Sequence, residues 1–175
     1  HKKEVDKLRI GSSVTLIKSD KNIIVDTGSF LDKDKLIAGL KKNGLKPEDI
    51  DIVIITHLHL DHIVNTYLFK NAKIFCKFRS SEYPGQFHIP SEGCLKRVDI
   101  FDNTKIADNV ELILTPGHTE DGISVVIKTS KGKIVIVGDA ISSQECADLK
   151  NKLDPVFCKN IKQFDEIRKK VPDNI

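Results

Sequence analysis

Three of the chain's six histidines fall within six residues, in the run Thr56-His57-Leu58-His59-Leu60-Asp61-His62. Imidazole nitrogen and carboxylate oxygen are donors suited to zinc, iron or manganese. Chance placement would give the pattern about once in a thousand such sequences. It follows Ile50-Asp51-Ile52-Val53-Ile54-Ile55, β-branched and almost wholly apolar, which predicts a strand covered on both faces. A rigid strand end can aim several side chains at one point. Positions 57 and 59 alternate together in an extended chain, so both rings can reach one ion. Asp61 and His62 are adjacent and are expected to point apart, toward a second ion a few ångströms away.

Two later positions complete this chemistry. Thr115-Pro116-Gly117-His118-Thr119 places a lone histidine in a turn after a predicted strand, and Val137-Gly138-Asp139-Ala140 ends another apolar strand in a carboxylate. A third imidazole closes a three-histidine site with one position open to water, and a carboxylate beside it can bridge to a neighbouring ion.

The elements that must hold these residues can be read from periodicity. Ser13–Lys18 and Ile23–Asp26 predict a hairpin ended by Thr27-Gly28. Residues 34–42 predict a helix with Leu36, Ile37 and Leu40 on one face, and Pro47-Glu48-Asp49 a short turn. A short helix is expected over 63–69, and strands over 73–76, 110–114, 123–128 and 133–137. Residues 80–93, with two prolines and two glycines, predict a loop long enough to act as a lid; 160–171 predict an amphipathic helix. Hairpins mixed with strand–helix units argue for an α/β or α+β sandwich, and no glycine-rich nucleotide fingerprint is present.

Composition narrows the function further. With 28 Lys+Arg against 25 Asp+Glu, the net charge of +3 argues against a strongly basic nucleic-acid module, while leaving a local basic patch open. A hydrophobic share of 39% suffices for a packed soluble domain, and no apolar run reaches membrane-spanning length. His1-Lys2-Lys3-Glu4 has no apolar stretch behind it, so a cytoplasmic protein without a signal peptide is expected. The chain contains no Met, and both ends are read as provisional. Cys76, Cys94, Cys146 and Cys158 have no metal-site spacing and read as thiols in a reducing compartment.

The segments Ile24–Gly28, Thr56–His62, Pro116–Thr119 and Gly138–Ala140 resemble the successive motifs of the metallo-β-lactamase-fold superfamily, in the right order. The resemblance is greatest to its short stand-alone branch, that of metallo-beta-lactamase domain-containing protein 1, and more distant to hydroxyacylglutathione hydrolases. It implies one domain over residues 1–175, a four-layer αβ/βα sandwich with the metal site at the sheet edges. By the same resemblance His57, His59 and His118 match the first site, Asp61 and His62 the second, and Asp139 the bridging carboxylate. Asp26 matches an acid that orients the ligand loops. The family's second site takes its last histidine from a strand after the final helix, and no histidine of this chain lies in that place. That ligand is expected in a C-terminal segment beyond Ile175; otherwise the second site is incomplete.

The function expected from these residues is metal-dependent hydrolysis of a small-molecule ester, thioester, lactam or phosphodiester at a dinuclear zinc centre, with Asp61 handling the proton. The alternatives are a mononuclear iron dioxygenase acting on a sulfur substrate at His57, His59 and His118, and a non-catalytic metal-binding module. Manganese is a further metal compatible with the donors. Lys77 and Arg79 are candidate anchors for an anionic substrate group, and Tyr83, Phe87 and His88 candidate pocket residues in the lid.

Overall fold

The computed structural model describes residues 11–77, 96–100 and 102–141. The predicted lid over 80–93, the helix over 160–171, Arg79 and three of the four cysteines lie outside the described residues.

The first sheet has the order β1 (Thr15–Lys18), β2 (Asn22–Val25), β3 (Ile52–Ile54), β4 (Lys73–Cys76) and β5 (Lys96–Asp99). β1 and β2 form the predicted antiparallel hairpin, and every later pairing is parallel. The second sheet is an antiparallel meander of β6 (Thr104–Ala107), β7 (Val110–Leu114), β8 (Ile123–Thr129) and β9 (Gly132–Ile136). β5 and β6 add two strands to the expectation. Their sequences, Lys-Arg-Val-Asp and Thr-Lys-Ile-Ala, are too polar and too short to show a period of two.

The alternation of β3 explains its unbroken apolar run. Ile52 and Ile54 face the second sheet, packing with Ile23, Val25, Val110, Leu112, Ile123 and Val125. Val53 and Ile55 face the other way, with Leu36 and Leu40 of α1 (Lys33–Lys42) and with Phe69 and Ile74. Among the described residues, helix, first sheet and second sheet thus stack as three layers around two cores, in keeping with the expected α/β sandwich. In α1, Leu36 and Leu40 are buried one turn apart, whereas Ile37, expected on the same face, is 37% exposed because it lies about 100° around the helix. Cys76 is buried in the same core, as a small apolar residue would be. No helix among the described residues is long and apolar enough to cross a membrane.

The register brings the ends of β2, β3, β7 and β9 to one edge. Asp26, just past β2, donates its N–H to Ile54 O at 2.8 Å, and Thr56 O, just past β3, accepts from Ile123 N of the second sheet at 2.8 Å. The two sheets are therefore joined by a main-chain bond one residue before His57.

Candidate metal centre

His57 leaves β3 buried, His59 follows in an extended conformation, and a single turn of helix, α2 (Leu60–Ile63), begins at once. A 3-10 segment, Val64–Leu68, continues it, so the helix predicted over 63–69 starts inside the motif. His118 comes from the turn after β7 and Asp139 from the 3-10 turn Gly138–Ile141 after β9. All six predicted site residues gather at this edge.

His57 Nε2 lies 2.9 Å from His59 Nδ1, which lies 3.1 Å from His118 Nε2. The three rings meet nearly at right angles, with interplanar angles of 77°, 88° and 85°, so their nitrogens converge while their bodies splay apart. Asp139 closes the group: its Oδ2 is 3.5 Å from His118 Nε2 and 4.0 Å from His57 Nε2. One ligand atom from each of these four residues lies within 4.8 Å of every other.

A second cluster adjoins the first. His62 Nε2 is 3.4 Å from Asp139 Oδ1 and 3.7 Å from Asp61 Oδ2. Asp139 thus turns one oxygen toward each cluster. Asp61 and His62 converge where the sequence led us to expect divergence. Residues 61 and 62 sit on a helical turn, about 100° apart rather than the 180° of a strand, and the long imidazole reaches back.

Beneath the ligands, Asp26 holds the loops. Its carboxylate accepts from Thr56 N at 2.8 Å, Thr56 Oγ1 at 2.8 Å and His62 Nδ1 at 2.8 Å. This packing keeps Asp26 at φ 56°, a left-handed conformation that Asp tolerates better than most residues. With its proton given to Asp26, Thr56 Oγ1 can only accept from His57 Nδ1–H, 3.2 Å away. That sets the tautomer and leaves the His57 Nε2 lone pair facing the cluster. Thr27 reinforces the frame, its N–H and Oγ1 both donating to His62 O.

The charges follow from burial and neighbours. Burial holds His57 far below its ordinary value, at about 2, with the nearby His62 adding to the effect. His59 is lowered by burial and then by His118. Burial also opposes charge on His62, but Asp139 and Asp26 outweigh it and raise His62 to about 10. Burial pushes Asp26 up against the pull of its donors. For Asp139 burial acts upward as well, and the His62 cation and its histidine neighbours prevail, bringing it to about 2.

The donor set fits a bound cation. The His57 Nε2 lone pair, His59 Nδ1, His118 Nε2 and Asp139 Oδ2 crowd around one point, as nitrogen and carboxylate donors around a cation do. Among the described residues the buried His62 Nε2 has only ionic contacts, 3.4 Å to Asp139 Oδ1 and 3.7 Å to Asp61 Oδ2. Nitrogens at 2.0–2.1 Å from a tetrahedral zinc stand about 3.3 Å apart, close to the spacings of 2.9 and 3.1 Å.

Two residues that shape the site do not stand out in the sequence. Thr56 is one of a polar cluster, and Asp121 is a loop acid; it is buried, and its Oδ2 accepts from Leu58 N at 2.8 Å. A threonine and an aspartate in loops carry no periodic signal, and their partners are distant in sequence. Lys77, a candidate anion anchor, donates from Nζ to Glu120 O at 3.0 Å and so also braces the turn that carries His118.

Comparison with known proteins agrees with this architecture. A "probable metallo-hydrolase" of Methanocaldococcus jannaschii is 40% identical over 119 residues, covering 67% of this chain and 50% of the relative. Metallo-beta-lactamase domain-containing protein 1 of Xenopus laevis is 30% identical over 144 residues, covering 82% of this chain and 60% of the relative. The chain therefore spans half to three-fifths of the length of these relatives. Among solved structures, a quorum-quenching N-acyl homoserine lactone lactonase superposes with a TM-score of 0.72 at 23% identity, covering 89% of this chain and 70% of that one, and so shares the fold. The family model of the metallo-beta-lactamase superfamily matches residues 9–174. The chain belongs to the metallo-beta-lactamase superfamily.

Proposed function

We propose that this protein is a metal-dependent hydrolase with a dinuclear zinc centre, cleaving a small-molecule ester, thioester, lactam or phosphodiester. In this reading His57, His59 and His118 hold the first ion, Asp61 and His62 contribute to the second, and Asp139 bridges. The observation that carries it is the placement of Asp139, with one oxygen toward His118 and His57 and the other toward His62.

Bound zinc would supply hydroxide at neutral pH by lowering the pKa of water from 15.7 to about 7. The chain's own residues do the rest. Asp61, at the rim of the second cluster with its side chain 30% exposed, orients the attacking water and passes its proton to the leaving group. Asp26 holds His62 by Nδ1, and Thr56 holds His57 by Nδ1, so each ring presents Nε2 to the site. No serine or cysteine nucleophile is required.

Elemental analysis of the purified full-length protein, combined with ester, thioester, lactam and phosphodiester substrates before and after chelation, tests the proposal. Zinc near two equivalents and hydrolysis lost on chelation and restored by zinc are expected. Iron with thiol-dependent oxygen uptake and no hydrolysis would replace this reading with the mononuclear dioxygenase, which needs only the three-histidine cluster. Bound metal without turnover of any of these substrates would favour the non-catalytic metal-binding module.

A further inference from the structure

Asp121 is 5% exposed, three residues beyond His118. A buried carboxylate is costly unless its oxygens are used. Its Oδ2 accepts from the main-chain N–H of Leu58 at 2.8 Å, across 63 residues of sequence. Leu58 is the residue between His57 and His59, and its own side chain is anchored in the core outside the first sheet. The peptide plane that sets how far apart the two histidines stand is therefore held from both sides.

Asp121 is equally fixed to His118. Thr115 N donates to Gly122 O at 2.9 Å and Gly117 N to Thr119 O at 3.0 Å, closing the turn. The turn is so tight that a Cβ on Gly122 would lie 2.5 Å from Thr115 O. Lys77, through Glu120 O, tethers the same turn to the end of β4. A displacement of Asp121 therefore moves His118, and a displacement of Leu58 moves His57 and His59.

We infer that Asp121 is a positioning residue that sets the distance between His118 and the His57–His59 pair, so that three imidazole nitrogens are assembled before an ion arrives. The inference rests on the metal-dependent reading above. It concerns the hydrogen bond rather than the charge: an amide oxygen can replace the carboxylate, but a longer acid cannot, because it pushes Leu58 outward.

The test uses the full-length protein, chelated and then titrated with Zn²⁺ against a chromophoric chelator and with Co²⁺ by its visible absorption. Asp121→Ala and Asp121→Glu are each expected to weaken the tightest site about 10- to 100-fold and to alter the Co²⁺ band shape. Asp121→Asn should stay within about threefold of the parent, since it keeps the acceptor. Circular dichroism of the chelated variants confirms folding, and if Asp121→Ala fails to fold, the Asn and Glu pair decides. Parent-like affinity and spectrum in Asp121→Glu, or a loss in Asp121→Asn as large as in Asp121→Glu, overturns the inference. A parent that binds neither ion overturns the metal-dependent reading and this inference with it, an outcome distinct from variants that match a metal-binding parent.

Discussion

Gly138 lies so close to Thr56 that a Cβ on it would stand 2.7 Å from Thr56 Oγ1 and 2.8 Å from Thr56 Cβ. Thr56 follows a strand of the first sheet and Gly138 a strand of the second, and they are the immediate neighbours of the candidate ligands His57 and Asp139 respectively. Gly138 also has φ 54°, where any side chain adds strain. The approach of the two halves of the site is thus set by a missing methyl group.

Gly138→Ala should therefore destabilise the protein by about 1–3 kcal/mol through overpacking, since Thr56 is held on three sides and cannot retreat. The larger effect falls on the site, because relief requires the segment carrying Asp139 to move away from His57. Calorimetry and zinc titration of the variant check both. A melting temperature and metal affinity equal to the parent's would mean that the contact yields freely.

Thr56→Val keeps the shape of Thr56 and removes its hydroxyl. Asp26 loses one donor, and the His57 Nδ1–H loses its acceptor in a buried setting, a cost of about 1–3 kcal/mol. Freed from that bond, His57 can take the tautomer with its hydrogen on Nε2, which cannot ligate. Zinc affinity is expected to fall about 10- to 100-fold, and Thr56→Ser to restore it. Equal losses in the Val and Ser variants would show that the methyl group, rather than the hydroxyl, matters here.

What the sequence made legible was the part of the site encoded locally. His57, His59, Asp61 and His62 lie within six residues after a strand, and His118 and Asp139 each follow an apolar run, so pattern and chemistry coincide. The hairpin, α1 and the strands β3, β4, β7, β8 and β9 were visible for the same reason. Thr56 and Asp121 were not, because their roles arise from contacts with Asp26 and Leu58, 30 and 63 residues away. The convergence of Asp61 on His62 was hidden too. Only the start of a helix at Leu60, where a strand-like spacing precedes it, turns these neighbours toward one another.

Asp139→Asn should weaken metal binding more than folding. Asp139 is partly exposed and shares the His62 proton with Asp26, so its loss costs the chelated fold only part of that pairing, whereas two dications a few ångströms apart would need an anion between them. Binding isotherms should show the weaker ion lost first and the tighter one retained at reduced affinity, with the melting temperature of the chelated protein within a few degrees of the parent. Unchanged stoichiometry and affinity would reduce Asp139 to an ordinary strand-ending acid.

Stability against pH should differ in sign on the two sides of neutrality when metal is removed. His62 stands between Asp26 and Asp139 and is raised to about 10, against 6.5 for an ordinary histidine. Below 6.5 both folded and unfolded chains hold this proton, and the full benefit of the pairing is present. Between 6.5 and about 10 only the folded chain keeps it, so stability falls as pH rises and the benefit is gone above about 10. His57 works in the opposite direction. Held at about 2 by burial, it stays neutral in the fold, so its contribution is present above 6.5 and is lost as pH falls toward 2. The chelated protein should accordingly be most stable near neutral pH, with its alkaline loss about 1–3 kcal/mol. Zinc would occupy His62 Nε2 in place of the proton, so the loaded protein should lose much less between pH 6.5 and 9.5. Melting curves of chelated parent, zinc-loaded parent and chelated His62→Gln across that range decide it. The first should decline, whereas the other two should stay nearly level. A chelated parent whose melting temperature is flat to pH 9.5 would mean that His62 is not held as a cation between the two carboxylates.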